Sequence, residues 1–259
     1  MRFEELLVTL TAGTGVVCLA NYLYQKRYAP ATVGSKQNWL IETCRSFFFV
    51  FLLVLVLRSF LFEAFRIPSG SMKPTLVEGD FILVNKFNYG VRLPVLGTKL
   101  LNLGQPKTGD IIVFRHSDGK DLIKRVVGVA GDHIKYQDKK LYINNKLVTT
   151  EFIQPTQDGD NLTLESREYL ENQVHNIYIY PQRNVMGRYQ DVIVPPNSYF
   201  VLGDNRDNSE DGRFWGFVPD KDLLGKALLT WMSWDAENLN IRWSRIGKSM
   251  YNNHNKETS

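Results

Sequence analysis

Four short segments hold residues whose types and spacing can do chemistry. The first is Pro68-Ser69-Gly70-Ser71-Met72-Lys73-Pro74-Thr75-Leu76. Two prolines and a glycine around two serines present hydroxyls on a rigid, tightly turned backbone; taken alone, the segment also reads as an ordinary surface turn. The second, Gly79-Asp80-Phe81-Ile82-Leu83-Val84, is a turn entering a strand, and most of it reads as core packing. The third is Asp121-Leu122-Ile123-Lys124-Arg125-Val126-Val127-Gly128-Val129-Ala130-Gly131-Asp132. Alternate residues of a strand share a face, so Lys124 goes with Leu122 and Val126 while Arg125 points the other way. An ammonium between apolar neighbours is desolvated and its pKa falls. A neutral lysine amine can then take the proton of a serine hydroxyl. The competing reading is an edge-strand lysine in solvent. The fourth segment, Gly203-Asp204-Asn205-Arg206-Asp207-Asn208-Ser209-Glu210-Asp211-Gly212-Arg213-Phe214-Trp215-Gly216, reads either as a solvated loop or as a polar shell that orients catalytic groups.

Other chemistries find little support. The two cysteines, Cys18 and Cys44, lie in or beside apolar N-terminal segments, which leaves no Cys-ligated metal or disulfide elsewhere. His116, His133, His175 and His254 form no His-Glu-x-x-His pattern, so no metal and no cofactor is expected. With 44% hydrophobic and 22% charged residues the chain should form a globular core. The net charge of +4 is spread without a basic block, so nucleic acid is not expected as a partner. Ser117-Asp118-Gly119-Lys120 and Lys107-Thr108-Gly109 match two boxes of the penicillin-recognising acyltransferases, but in reversed order and with Ser117 in a polar turn, a coincidence.

The elements that must position these residues follow from the apolar pattern. Leu6–Tyr24 is a mostly apolar run, and Ser46–Leu57 is strongly apolar and continues through Arg58 to Phe62. With interfacial ends each reaches the ~20 residues that a bilayer core requires, and Arg58 can snorkel. A cleaved leader ending at Ala29-Pro30-Ala31 is the alternative for the first run. Glu4 and Glu5 ahead of it and Lys26 and Arg27 behind it argue against that. The linker Gln25–Arg45 carries Lys26, Arg27, Lys36 and Arg45 against Glu42, which places it in the cytoplasm. The expected layout is a first span within 1–24, a cytoplasmic loop 25–45, a second span 46–62 and an extracytoplasmic domain 63–259. That domain reads as mostly β. Strands are expected at Phe81–Phe87, Ile111–Phe114, Leu122–Val129, His133–Tyr136, Leu141–Ile143, Val192–Val194, Tyr199–Leu202 and Ala227–Trp234, punctuated by Gly-Asp pairs. Residues 145–196 are more polar and irregular and read as a non-catalytic insertion with a minor sheet or long loops.

In this order, the two spans and the Ser-Gly-Ser-Met-x-Pro-Thr-Leu, Ile-Lys-Arg-Val-Val-Gly and Gly-Asp-Asn-Arg-Asp-Asn-Ser-x-Asp boxes resemble those of the bacterial type I signal peptidases, serine proteases with a Ser/Lys dyad. The resemblance implies Ser71 as nucleophile, Lys124 as general base, Ser69 as side-chain donor to the oxyanion beside the Ser71 N–H, and Ser209 as a hydroxyl that positions the lysine. It implies supporting ion pairs Asp211–Arg213 and Asp204–Arg125, with Asn208 in the same polar shell. It also implies that Phe65, Ile67, Met72, Leu76, Ile82, Val113 and Ile123 line two small apolar subsites. The implied substrates are exported preproteins cut after small-x-small sequences, at the outer, periplasmic face of the inner membrane and in contact with its lipid. Ser71 lies nine residues after Phe62, at most ~30 Å of extended chain, which keeps such a site near the membrane surface. Two features depart from the family pattern: Gly212 stands where many relatives have serine, and the cysteine pair of some members' outer domain is absent. A self-cleaving repressor would share the Ser/Lys idea but not the spans. A membrane-anchored β-domain that only binds is the non-enzymatic reading.

Overall fold

The computed structural model describes residues 3–28, 39–60, 62–92, 99–101, 103–171, 173–183 and 191–251. Lys36 and the Ala29–Ala31 segment lie outside them. The chain is mostly β, preceded by two apolar helices, and divides into two compact units: Met1–Phe62 with Gly90–Asn102, and Glu63–Tyr89 with Leu103–Ser259.

In the first unit the helices are Phe3–Tyr28 and Trp39–Phe60, of 26 and 22 residues. At 1.5 Å per residue they are about 39 and 33 Å long, enough to cross a bilayer core. Both outrun the apolar segments that announce them, because polar residues at a helix end cost nothing while the backbone ladder continues. The second helix begins seven residues before Ser46 and ends before Phe62, which opens a strand. Neither helix carries a strong apolar stripe, as expected where apolar residues are spread around the helix rather than confined to one face. The hydroxyls of Thr11 and Thr14 are satisfied inside the helix, donating to Leu7 O at 2.7 Å and Leu10 O at 2.8 Å. Gly15 admits the Phe48 ring, which would lie 2.9 Å from a Cβ at that position.

In the second unit an eight-stranded sheet runs in the order Phe62–Arg66, Asp80–Asn85, Leu223–Asp235, Ile111–Arg115, Asp121–Gly128, Ser198–Leu202, Val218–Pro219, with Asn240–Ile241 pairing on Leu223–Asp235. Burial follows position in the sheet: Asp80–Asn85 buries every second residue, and Ile111–Arg115 is buried on both faces over its first four. A four-stranded sheet combines His133–Gln137, Lys140–Ile143, Lys146–Leu147 and Asp191–Ile193. The region expected as an irregular insertion contains an antiparallel three-stranded sheet, Thr149–Asp158, Asn161–Leu170 and Gln173–Ile179. Gln173–Ile179 continues into the polar segment 203–213, because Tyr178 and Asn205 form a parallel bridge in which Tyr178 N–H donates to Asp204 O and Arg206 N–H to Tyr178 O.

Candidate active site

The turn carrying Ser71 is anchored by its apolar members. Gly70–Met72 forms one turn of 3-10 helix, closed by Lys73 N–H donating to Gly70 O at 3.1 Å, and Leu76 N–H donates to Met72 O at 2.9 Å. Met72 and Leu76 are fully buried, so the turn is pinned to the core while Ser71 remains half-buried. Lys124 reaches it from the strand Asp121–Gly128. Its Nζ lies 2.8 Å from Ser71 Oγ and donates to Ile123 O at 3.0 Å. Lys124 is 4% exposed. Burial is the largest influence on its ammonium, and the charges of Asp211, Asp204 and Glu210 compensate only in part, so the pKa falls to about 8. The lysine is buried, not an edge-strand lysine in solvent. A substantial neutral fraction near pH 8, in contact with a serine hydroxyl, is what proton abstraction requires.

The depressed pKa has a stability consequence. Below about pH 8 Lys124 is charged in the folded and the unfolded chain, and the folded state bears the full desolvation cost. Between about 8 and the ordinary value of 10.5 the folded protein has released a proton that the unfolded chain keeps, so the cost fades as pH rises. At 1.36 kcal/mol per unit the cost is at most ~3 kcal/mol. Lys124→Met is therefore expected to be more stable than the parent at pH 7, by ~1–3 kcal/mol once the lost contacts to Ser71 and Ile123 are counted. The gap should close by about pH 10.5. Paired denaturant titrations at both pH values check this, and a Met variant less stable at pH 7 would show that burial of the charge is not the governing influence.

The polar segment 203–213 is not a solvated loop. Asp204, Asn205, Arg206, Asp207, Ser209, Asp211 and Arg213 are all buried, whereas Asn208 is exposed, its side chain accepting from Arg183 Nη1 at 3.3 Å and its N–H donating to Asn205 O at 3.0 Å. Arg125, pointing away from Lys124, grips Asp204 through two parallel bonds of 2.8 and 2.7 Å and donates to Gly109 O at 2.9 Å. Thr75 Oγ1 donates to the same carboxylate at 2.5 Å. Burial would raise the Asp204 pKa, but the charge and hydrogen bonds of Arg125 outweigh it, and the carboxyl stays below its ordinary range. Arg213 grips Asp211 through Nε and Nη2, each at 2.8 Å, and Asp211 accepts Gly203 N–H at 3.0 Å. Buried pairs of this kind add little net stability, but removing one partner typically costs ~3–5 kcal/mol.

The structure brings Ser71 and Lys124 into contact and the two ion pairs together around the same box. It does not give Ser209 the contact implied for it. Among the described residues the buried Ser209 hydroxyl has no hydrogen-bond partner, and Lys124 donates to Ile123 O. Gly203 allows this crowding, since a Cβ there would sit 2.2 Å from Ser209 Oγ and 2.5 Å from Ser71 O. Gly212 is similarly tight: a Cβ would sit 2.8 Å from Val201 O, so the serine of relatives would need a shifted backbone here. Ser69, extended at φ −139° and ψ 157° at the mouth of the 3-10 turn, is exposed and makes no capping hydrogen bond, so its hydroxyl is not committed to the turn. All seven residues assigned to subsites fall in or against one hydrophobic cluster. Ile67, Met72, Leu76, Ile82 and Val113 are buried within it, while Phe65 and Ile123 are only partly buried and offer surface to a ligand.

Several members of this network were not singled out by sequence. Asn205 donates its N–H to Ser71 O and Nδ2 to Gly70 O. Thr75 orients Asp204. From the three-stranded sheet, Glu168 forms a bidentate pair with Arg206, and buried His175 has Nε2 3.3 Å from Glu168 and 3.7 Å from Asp204. Of the tight polar packing of Gly203–Asp211, the sequence offered the density of polar residues and, through the resemblance, the pairs Asp211–Arg213 and Asp204–Arg125, but not the bonds made by Asn205, Thr75 and Glu168.

Two N-terminal helices long and apolar enough to cross a membrane precede a β domain in which a buried lysine amine meets a serine hydroxyl, an arrangement suited to nucleophilic catalysis. The family model for signal peptidase, peptidase S26, matches residues 40–234. Signal peptidase I of Pseudomonas aeruginosa is 46% identical, the alignment covering 95% of this chain and 98% of that protein. Signal peptidase I of Pseudomonas fluorescens is 44% identical over the same shares, 95% and 98%. A crystal structure of a signal peptidase I from Enterococcus faecalis is 28% identical, covering 47% of this chain and 96% of that one, with a TM-score of 0.31. The chain belongs to the signal peptidase family, peptidase S26.

Proposed function

We propose that this chain is a membrane-bound serine endopeptidase that removes N-terminal signal peptides from exported preproteins, cutting after small-x-small, Ala-x-Ala-like sequences. The observation that carries the reading is Lys124 Nζ, buried, 2.8 Å from Ser71 Oγ. Neutral Lys124 takes the Ser71 proton as Oγ attacks the scissile carbonyl carbon. The oxyanion of the tetrahedral intermediate accepts from Ser71 N–H, which lies in the single turn of the 3-10 helix Gly70–Met72, and from Ser69 Oγ. Collapse breaks the C–N bond. The Lys124 ammonium returns its proton to the leaving amine, the new N-terminus of the mature protein. Water then attacks the carbonyl carbon of the Ser71 ester as Lys124 takes its proton; the Oγ–C bond breaks, Lys124 returns that proton to Ser71 Oγ, and the signal peptide leaves as an acid that ionises to solvent. Phe65 and Ile123 border the small apolar subsites, whose floor is the buried cluster.

The two helices anchor the enzyme as a multi-pass protein of the inner membrane, with 25–45 cytoplasmic and 63–259 on the periplasmic face, as the basic linker supports. Detergent-purified protein is expected to cut a preprotein after its small-x-small sequence, identified by N-terminal sequencing of the product. Retention of the preprotein without cleavage would favour a binding module.

A further inference from the structure

The three-stranded sheet reaches the nucleophile. Its hairpin Thr149–Asp158/Asn161–Leu170 ends on the pair Asp158–Asn161, and that tip lies against the Ser71 turn. We propose that Asp158 is a positioning residue for the turn that carries Ser71; the proposal rests on the reading of Ser71 as nucleophile.

One carboxylate ties together the groups that flank Ser71. Asp158 Oδ1 accepts from Lys73 Nζ at 2.9 Å. Asp158 Oδ2 accepts from Asn205 Nδ2 at 3.3 Å and from the Tyr180 hydroxyl. Asn205 in turn holds the turn by its backbone: its N–H donates to Ser71 O at 3.1 Å and its Nδ2 to Gly70 O at 3.0 Å. Both hydrogens of that amide are therefore used, one on the nucleophile's turn and one on Asp158. On the other side, Lys73 N–H closes the turn on Gly70 O, and its ammonium lies 2.9 Å from Asp158 and from Glu78. Gly70 makes room for this arrangement, since a Cβ would strike Glu78 Oε1 at 2.6 Å and Lys73 Cε at 3.1 Å.

The turn requires outside support. A three-residue 3-10 turn has one internal hydrogen bond of poor geometry. Met72 and Leu76 hold it down in the core, but a hydroxyl must sit within about 0.5 Å of its productive place. Asp158 supplies lateral restraint through Lys73 and Asn205 at once. It also keeps a second ammonium occupied. Burial pulls the Lys73 pKa down, but hydrogen bonds and charges from Glu78 and Asp158 outweigh burial and leave it raised, so Lys73 stays charged and paired.

The test uses the full-length protein in detergent with a preprotein carrying an Ala-x-Ala site. Measured are kcat, KM and melting temperature for Asp158→Ala, Lys73→Met, their double variant, and Asp160→Ala, an exposed carboxylate at the same hairpin tip. Asp158→Ala is expected to lower kcat ~10–100-fold with KM changed less than ~3-fold, since misplacement by about 1 Å can cost ~100-fold. The pH midpoint of the rate should stay put, because the surroundings of Lys124 are unchanged. Lys73→Met should lower kcat less, and the double variant should lose less than the product of the singles. Asp160→Ala should match the parent. A kcat for Asp158→Ala within twofold of the parent, an equal loss in Asp160→Ala, or a loss that disappears on cooling further below the melting temperature would overturn the proposal. If Asp158→Ala does not fold, Lys73→Met and Asp158→Asn decide in the same way. Full activity in Ser71→Ala would overturn the reading of the nucleophile itself, whereas a dead Ser71→Ala beside a fully active Asp158→Ala overturns only the role of Asp158.

Discussion

Lys124→Arg and Ser71→Ala are each expected to reduce turnover by on the order of 10⁴-fold or more, with the fold intact. A nucleophile and its base act as a unit, so loss of either removes nearly the whole advantage and the double variant should be scarcely worse. Arginine keeps the charge and nearly the length of lysine, but its guanidinium stays protonated and cannot accept the Ser71 proton. In the parent, kcat/KM should rise with pH and level off above about 8, the pKa to which burial brings Lys124. Lys73, two residues from Ser71, is the other amine within sequence reach, and its ion pairs with Glu78 and Asp158 keep it charged. A pH–rate profile together with single-turnover rates of Lys124→Arg settles the matter. Near-parental rates for that variant would exclude Lys124 as the base.

Ser69→Ala is expected to be a slow but intact enzyme, with kcat down ~10²–10³-fold, the usual cost of one oxyanion donor. The donor acts as charge develops on the carbonyl oxygen, so KM should move little. Two features single out Ser69. Its backbone is extended at the entry of the 3-10 turn, two residues from the nucleophile, and its hydroxyl is exposed and does not cap that turn. Ser69→Thr keeps the hydroxyl and should keep much of the rate. Since the side chain holds no turn hydrogen bond, the melting temperature of Ser69→Ala should stay within a few degrees of the parent. An unchanged kcat with a lowered melting temperature would reject the oxyanion role and leave Ser69 a structural residue.

How much of this was legible follows from where the signal resides. The helices were readable because a lipid-facing helix must be apolar all round, and their ends were not, because helical hydrogen bonding continues into Trp39–Arg45 regardless of polarity. The longer strands of the main sheet were readable as apolar runs entered from Gly-Asp turns, as in Asp80–Asn85, whereas Phe62–Arg66, Val218–Pro219 and Asn240–Ile241 were not. Thr149–Asp158 did not: it is exposed along nearly its whole length and contains Pro155, so it carries no period of two. Its partner strand Asn161–Leu170 recruits it through backbone pairing, which composition does not record.

The chemistry-bearing residue types, their order and their spacing were determined by the sequence, since a serine, a lysine and two acid–arginine sets can be recognised as reagents wherever they stand. What each does depends on distance and burial. Tertiary structure alone decided how fully Lys124 loses its solvent and that Arg125 holds Asp204 through two parallel bonds. It alone left the Ser209 hydroxyl unpartnered among the described residues, and it brought Asp158, 85 residues from Lys73 along the chain, to the nucleophile's turn. The reason is physical: desolvation and Coulomb energies depend on separations in space, and a hairpin tip of Asp158, Gly159 and Asp160 looks in one dimension like any polar turn.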